Sequence, residues 1–481
     1  MDIVPIAVKR FPEFLNRRFI MFWLMIISFL LREPAQAGRF YPEQREELFK
    51  VVSQLIESTQ YIPLGGKPEI LFSPHAGYIY SGKVAAQSYR EIQGDDYDLV
   101  VILAPAHYYP LRGISVGLFD FYRTPLGNVE VEKNLGEKIL KLKFVNFIKE
   151  AHLPEHSIEV QLPFLQYVLK DFRILPFLVG SINMAEANEF AHSLVELLKG
   201  KNYLILVSTD LSHYKSYEIA KKIDSFTIKT IIEGDPQVFL NRFKEKKIEL
   251  CGFFPTLIAL KIRELRGNLK AKKLLYLNSG DTAGGRREVV GYASIVFYRE
   301  FFNEREKKFL LNLARESIKR AFEGKDIVRE KPSDPRLLEK RGVFVTLRKN
   351  SQLRGCIGIH KSSDPLYITV QKMARAAAFQ DPRFSPLRPE ELNSISIEIS
   401  VYLYPPRKID DIKNYIPGKH GIIMIKGLHE ATFLPEVPLE QNWNKTVTLQ
   451  YLSLKAGLPK DGWKESCIFY IYETVHFSEK E

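Results

Sequence analysis

Four short apolar runs fix what this chain can fold into: "PEILFSP", "YDLVVILAPAH", "FRILPFLVG" and "NYLILVSTDLSH", spread between residues 68 and 213. Each ends in a turn that carries polar residues. Between them lie helical stretches such as "GKVAAQSYREIQ" and "MAEANEFAHSLVELLKG". Near-continuous apolar strands alternating with amphipathic helices require a mostly parallel sheet covered by helices on both faces. The spacing predicts an α/β domain that "AKKLLYLNSGD" and "VVGYASIVFY" complete as two closing strands. The character changes near residue 300. "NEREKKFLLNLARESIKRAFEG" reads as an opening helix, and "SISIEISVYLY" alternates as an antiparallel strand with one buried side would. A second, smaller α+β domain is expected there. At 481 residues the chain has length for two or three domains.

The formal charge of +12 invites a nucleic-acid reading, but the basic residues are spread and mixed with acids. No arginine-rich arm and no nucleic-acid motif is present. Cys251, Cys356 and Cys467 are few, far apart and odd in number. That disfavours a disulfide framework and suits a reducing, cytoplasmic setting. Near the start, Arg17 and Arg18 precede the 13-residue apolar run "FIMFWLMIISFLL", and "AQA" follows at 35–37. Together they imitate a secretory signal. The run is shorter than the roughly 18 residues a spanning helix needs. The rival reading makes "REPAQAGRFYP" the first strand and turn of the fold, so that cleavage after Ala37 would cut into it.

Chemistry concentrates where strands end. His75 follows "LFSP", His107 follows "VVILAPA", His156 sits in "PEHSIE" and His213 in "STDLSHY", three residues after Asp210. In a parallel sheet such ends converge on one rim. Neutral imidazole is a good ligand for iron, copper or zinc. Cys251 stands just before a helix, whose N-terminus would favour a thiolate. Two histidines and one thiolate make a three-point facial site with open positions. The bland readings are turn histidines and an ordinary buried thiol. His152 reads as exposed.

"REPAQAGRFYP", "SPHAGYIYSG", "LAPAHY", "FYRTPLG", "EHSIEVQLPFLQ", "VSTDLSHY" and "CGFFP" occur in this order. Together they resemble the Memo family, similar in fold to the non-haem iron extradiol dioxygenases, over residues 33–299. The family's domain starts at its "REPAVAG-FYP"-like segment. The resemblance therefore makes residues 1–32 an N-terminal extension, with Met21 or Met25 as an alternative start. It implies His75, His107 and Cys251 as ligands for an iron or copper ion. It places Asp210 and His213 in the pocket, with Glu155 and His156 beside it. If the site catalyses, the expectation is that His213, supported by Asp210, moves a proton. Some relatives carry a second histidine where this chain has Tyr108. A thiolate in place of the dioxygenase carboxylate shifts preference toward Cu(I) or Zn, so the dioxygenase reaction itself does not carry over.

In the second domain Cys356 lies between glycines in "LRGCIG", after Arg354, with His360 close by as a candidate base. The glycines allow close backbone approach, and the arginine would favour a thiolate. The rival is a buried strand cysteine. "LRGCIG", "DPRFSPL", "SIEISV" and "GLHEATFLPEV" resemble the AMMECR-type domain, which implies a two-lobed unit with a groove. Arg354, Cys356, Asp381 and Arg383 are expected near that groove, binding substrate. The pairing of domains over 33–299 and 300–481 resembles two parts of the AmmeMemoRadiSam system, whose third part is a radical S-adenosylmethionine protein. No CxxxCxxC motif occurs here, so radical chemistry would belong to that partner. The implied function is a metal-dependent redox protein acting on an unknown substrate. The alternative is a non-catalytic scaffold that keeps a metal- or peptide-binding pocket.

Overall fold

The computed structural model describes residues 30–479. Most of the apolar run at 19–31, with Met21 and Met25, lies outside them. In the first domain the strands are β1 (Leu31–Arg32), β2 (Gly66–Ser73), β3 (Leu99–Pro105), β4 (Ile114–Val116), β5 (Phe121–Thr124), β6 (Gly127–Glu130), β7 (Val145–Asn146), β8 (Arg173–Val179), β9 (Tyr203–Ser208), β10 (Lys270–Asn278) and β11 (Gly291–Glu300). Eight of them form one sheet in the order β10-β11-β2-β9-β3-β8-β4-β7. Its centre, β2-β9-β3-β8, is parallel. β11 and β10 close one side antiparallel.

The alternation along each central strand explains the two-faced core. Ile70, Phe72, Val101 and Leu103 pack one way, with the helices Met184–Leu197 and Phe253–Arg266. Leu71, Val100 and Ile102 pack the other way, with Arg45–Glu57, Tyr78–Arg90 and Leu162–Val168. Registers bring the strand ends level: Ser73 lies opposite Ser208, and Leu103 opposite Val207. The loops after β2, β9 and β3 therefore leave one rim together.

The second domain opens on the helix Glu304–Phe322, capped by Asn303 and Glu306. Its strands are β12 (Val343–Lys349), β13 (Gln352–Ile359), β14 (Ile395–Tyr402), β15 (Arg407–Ile409), β16 (Gly421–Lys426), β17 (His429–Phe433), β18 (Ile468–Tyr472) and β19 (Thr474–Ser478). They make two four-stranded sheets, β13-β12-β14-β19 and β15-β18-β16-β17, one in each lobe. One face of the first sheet (Val345, Leu347, Ile397, Ile399) packs on the helices. β14 was expected to bury one side only. Ser396 and Ser400, on its other side, are also buried, at 9% and 3% exposed. The second lobe covers them: Ser400 donates to Glu436 at 2.7 Å, and Arg348 bridges Glu398 and Glu440. Among the described residues no helix is long and apolar enough to cross a membrane.

Candidate metal centre

The rim of the large sheet gathers the predicted ligands. Ligand atoms of His75, His107 and Cys251 all lie within 4.8 Å of one another. His75 Nε2 is 3.2 Å from Cys251 Sγ. The second shell fixes both ring tautomers. Ser208 donates its hydroxyl to the Ser157 carbonyl at 2.7 Å, so it accepts from His75 Nδ1 at 2.8 Å. His107 Nδ1 donates to the Glu155 carboxylate at 3.0 Å. Both Nε2 lone pairs are left facing the triangle, that of His75 toward the Cys251 sulfur, as in metal sites whose histidines are held from behind. These donors fit one ion: a tetrahedral site with bonds of about 2.0–2.3 Å needs only slight closure of this triangle.

Cys251 reaches the rim because Gly252 lets its loop lie against β9. A Cβ there would meet Thr209 Cβ at 2.6 Å and Ser208 O at 2.9 Å. The Asp210 backbone N–H donates to the sulfur at 3.2 Å. The expected lowering of this thiol by a helix N-terminus is outweighed by burial. The helix starts at Phe253, and burial pushes the Cys251 thiol up to about 12. His75 is driven well below its usual range by burial and by the neighbouring histidines, so it is neutral.

A second grouping, His107, Glu155 and His156, is equally compact. Its carboxylate is already spent. Oε1 accepts from the backbone of His156 and Ser157 at 3.0 Å each and from His107 Nδ1, while Oε2 accepts from His107 N. Burial alone would raise Glu155, but the His107 and His156 side chains overcome it and hold the carboxyl far below its ordinary value. Glu155 thus orients His107. His156 packs against His75 and His107 with ring centroids 5.2 and 4.6 Å apart.

Asp210 and His213 stand beside this triad but not in contact with each other. The Asp210 carboxylate accepts from His75 N at 2.8 Å, and burial pushes it up to about 7. His213 is half-buried, and its backbone N–H donates to Glu249 at 3.1 Å. Burial lowers its ring, leaving it a neutral proton acceptor. Tyr108 stands half exposed at the mouth, edge-on to His156 at 5.6 Å.

Two residues given no role in the sequence matter here. His152, expected at the surface, is 1% exposed and sits between the Tyr122 hydroxyl and the Ser115 hydroxyl. Nothing local signals this, because its partners come from 30 and 37 residues away. Arg32 is fully buried, donates to the carbonyls of His152 and Glu155, and pairs with Glu159. Glu159 also accepts the backbone N–H groups of Ala35 and Gln36. The A-x-A segment at 35–37 is therefore built into the folded domain.

In the second domain Cys356, Asp381 and Arg383 interlock. Asp381 accepts the Cys356 N–H at 2.8 Å, and Arg383 donates to Asp381 and to the Cys356 carbonyl. Arg354 is held by Glu391 and the Ser385 carbonyl. Burial raises the Cys356 thiol, contrary to the expected activation, and its neighbour is Thr346 at 3.2 Å. The His360 ring pairs with the Tyr402 hydroxyl instead. The flanking glycines serve this chain's own packing: a Cβ on Gly355 would meet Ala377 O at 2.2 Å, and one on Gly358 the Phe344 ring.

These pairs make the second domain acid-labile. Asp381 is held down at about 2, mainly by Arg383, and Glu391 at about 2, mainly by Arg354. Depressed carboxylates stabilise above their unfolded values and lose that contribution as pH falls through the folded ones. Screened by solvent, each contributes about 1 kcal/mol, which is expected to disappear between about pH 4.5 and 2. Scanning calorimetry of the full chain against pH checks this, and Asp381→Asn should flatten the acid limb.

Comparison with known proteins places both domains in families. The family model described as Memo-like protein matches residues 32–296. The chain belongs to the Memo family. The AMMECR1 model matches residues 311–477, so both domains stand in one chain. A MEMO1 family protein of Aquifex aeolicus is 40% identical over 270 residues, covering 56% of this chain and 99% of that protein. One from Methanobrevibacter smithii is 34% identical over 281 residues, covering 56% and 100%. A solved structure of an uncharacterized protein from Pyrococcus horikoshii shares 35% identity, covering 37% of this chain and 94% of that one, with a TM-score of 0.36. The Memo domain thus contains His75, His107 and Cys251, and the AMMECR1 domain the interlocked cysteine.

Proposed function

We propose that the Memo domain holds one iron or copper ion through His75, His107 and Cys251, and that the protein is a redox protein. The observation that carries this reading is the pair of imidazoles with both Nδ1 atoms donating backward, leaving two lone pairs beside one thiol. When bound, the ion would supply a redox couple and a Lewis-acid centre softened by sulfur. The chain's own residues do the rest. Ser208 and Glu155 fix the rings, and Asp210 fixes the backbone at His75. His213, neutral and half-buried at the pocket edge, takes or returns a proton. His156 narrows the pocket. The three scattered cysteines leave radical S-adenosylmethionine chemistry to a separate partner, the third part of the AmmeMemoRadiSam system whose other two parts this pair of domains resembles. The substrate belongs to that shared pathway.

A non-catalytic scaffold is the second reading. Exposed Ile79, Tyr80, Tyr108 and Tyr214 flank the ligand loops, a surface suited to a macromolecule. Metal analysis of protein purified without oxygen tests the first claim. Near one ion per chain is expected, falling to near zero in Cys251→Ala, and equal content in both would refute it. Oxygen uptake by His213→Ala then separates enzyme from scaffold.

A further inference from the structure

The AMMECR1 domain docks on the rim of the large sheet opposite the metal ligands. Gly66 and Lys67 open β2, Asn202 directly precedes β9, and all three line a cavity of about 1040 Å³ between the domains. β2 runs for eight residues, so about 25 Å of strand separates this cavity from His75. The size suits a small-molecule site.

The inner end of the cavity is built from charged and polar groups. Lys419 is 4% exposed and crosses the junction, donating to the Gln93 carbonyl at 2.7 Å and pairing with Asp95. Glu91 is likewise occupied, by the Ile62 N–H and the Gln87 amide. Neither acid is available to a ligand. Glu473, also lining the cavity, differs: among the described residues no hydrogen bond reaches its carboxylate. Beside it His420 is 1% exposed. Its Nδ1 accepts from Ile416 N at 3.1 Å, which puts the ring proton on Nε2. That N–H has no partner in hydrogen-bond range, the nearest acceptor being Glu473 Oε1 at 3.7 Å. Thr474 Oγ1, next along the chain, is buried and without a partner as well. The charges facing Glu473 are the Lys419 ammonium, already paired with Asp95, Asp95 itself, and Arg407, which lies exposed at the rim.

Buried polar groups that stay unpaired are costly, so two of them beside the part-exposed Glu473 carboxylate mark a site waiting for partners. A half-buried carboxylate that accepts no hydrogen bond calls for a donor cation, and the imidazole N–H beside it calls for an acceptor. We propose that this interdomain cavity binds a small organic cation, an amine or guanidinium carrying an acceptor atom. Glu473 takes the positive group, and His420 Nε2–H with Thr474 takes the acceptor.

Calorimetric titration of the full chain with agmatine, putrescine, spermidine and L-lysine, and with acetate as an anionic control, tests this. At least one cation is expected to bind with Kd below about 1 mM, and acetate not at all. Glu473→Gln should weaken that binding by about tenfold or more, in keeping with a lost charged hydrogen bond, while metal content stays unchanged. Thr474→Val, smaller in its effect on charge, serves where Glu473→Gln melts early, and it too should weaken binding. Absence of binding by all four cations at about 5 mM, or equal affinity in both variants and the parent, overturns the proposal.

Discussion

Arg32→Met is expected to be the most damaging single substitution in the Memo domain. Arg32 and Glu159 are both fully buried, and the guanidinium also holds the carbonyls of His152 and Glu155. Methionine matches the length of the stem but leaves the Glu159 carboxylate buried without its countercharge. Breaking one side of such a pair costs about 3–5 kcal/mol. For a domain of this size that is a fall in Tm of about 10 °C or more, read by calorimetry. The companion variant, Arg32→Met with Glu159→Leu, removes both charges and should recover part of the loss. A single variant that melts within a degree or two of the parent would show that the anchor is dispensable.

Glu155→Gln is expected to leave the fold nearly intact and to loosen the metal. The carboxylate receives four donors, two of them from His107, and caps the short helix His156–Glu159. An amide keeps the shape but turns one oxygen into a donor facing N–H groups. His107 then loses the partner that fixes its tautomer. Outer-shell changes of this kind lower metal affinity by about 10–100-fold. Competition against a chelator measures it. Unchanged affinity would mean that His107 does not ligate.

The sequence carried the architecture because the central strands are apolar on both faces, a pattern few other folds tolerate. β4 and β7 were not legible, being two or three residues long. The strand ends with His75 and His107 were legible, and so was the distant Cys251 through its segment "CGFFP". The state of that thiol was not. A helix N-terminus returns about 0.3–1 kcal/mol to an anion, whereas the rise of Cys251 from 9.0 to about 12 on burial corresponds to about 4 kcal/mol. Desolvation wins. His152 and Arg32 escaped notice for a related reason: their roles are set by partners from Ser115 to Glu159, which only the fold brings close. The two-sided burial of β14 depended on a second lobe that its own alternation does not announce.

X-ray absorption at the metal edge of the loaded full-length protein interrogates the proposed triangle most directly. One sulfur and two imidazole nitrogens in the first shell are expected, the sulfur scattering vanishing in Cys251→Ala. A shell of oxygens and nitrogens alone, identical in the parent and the variant, would contradict it.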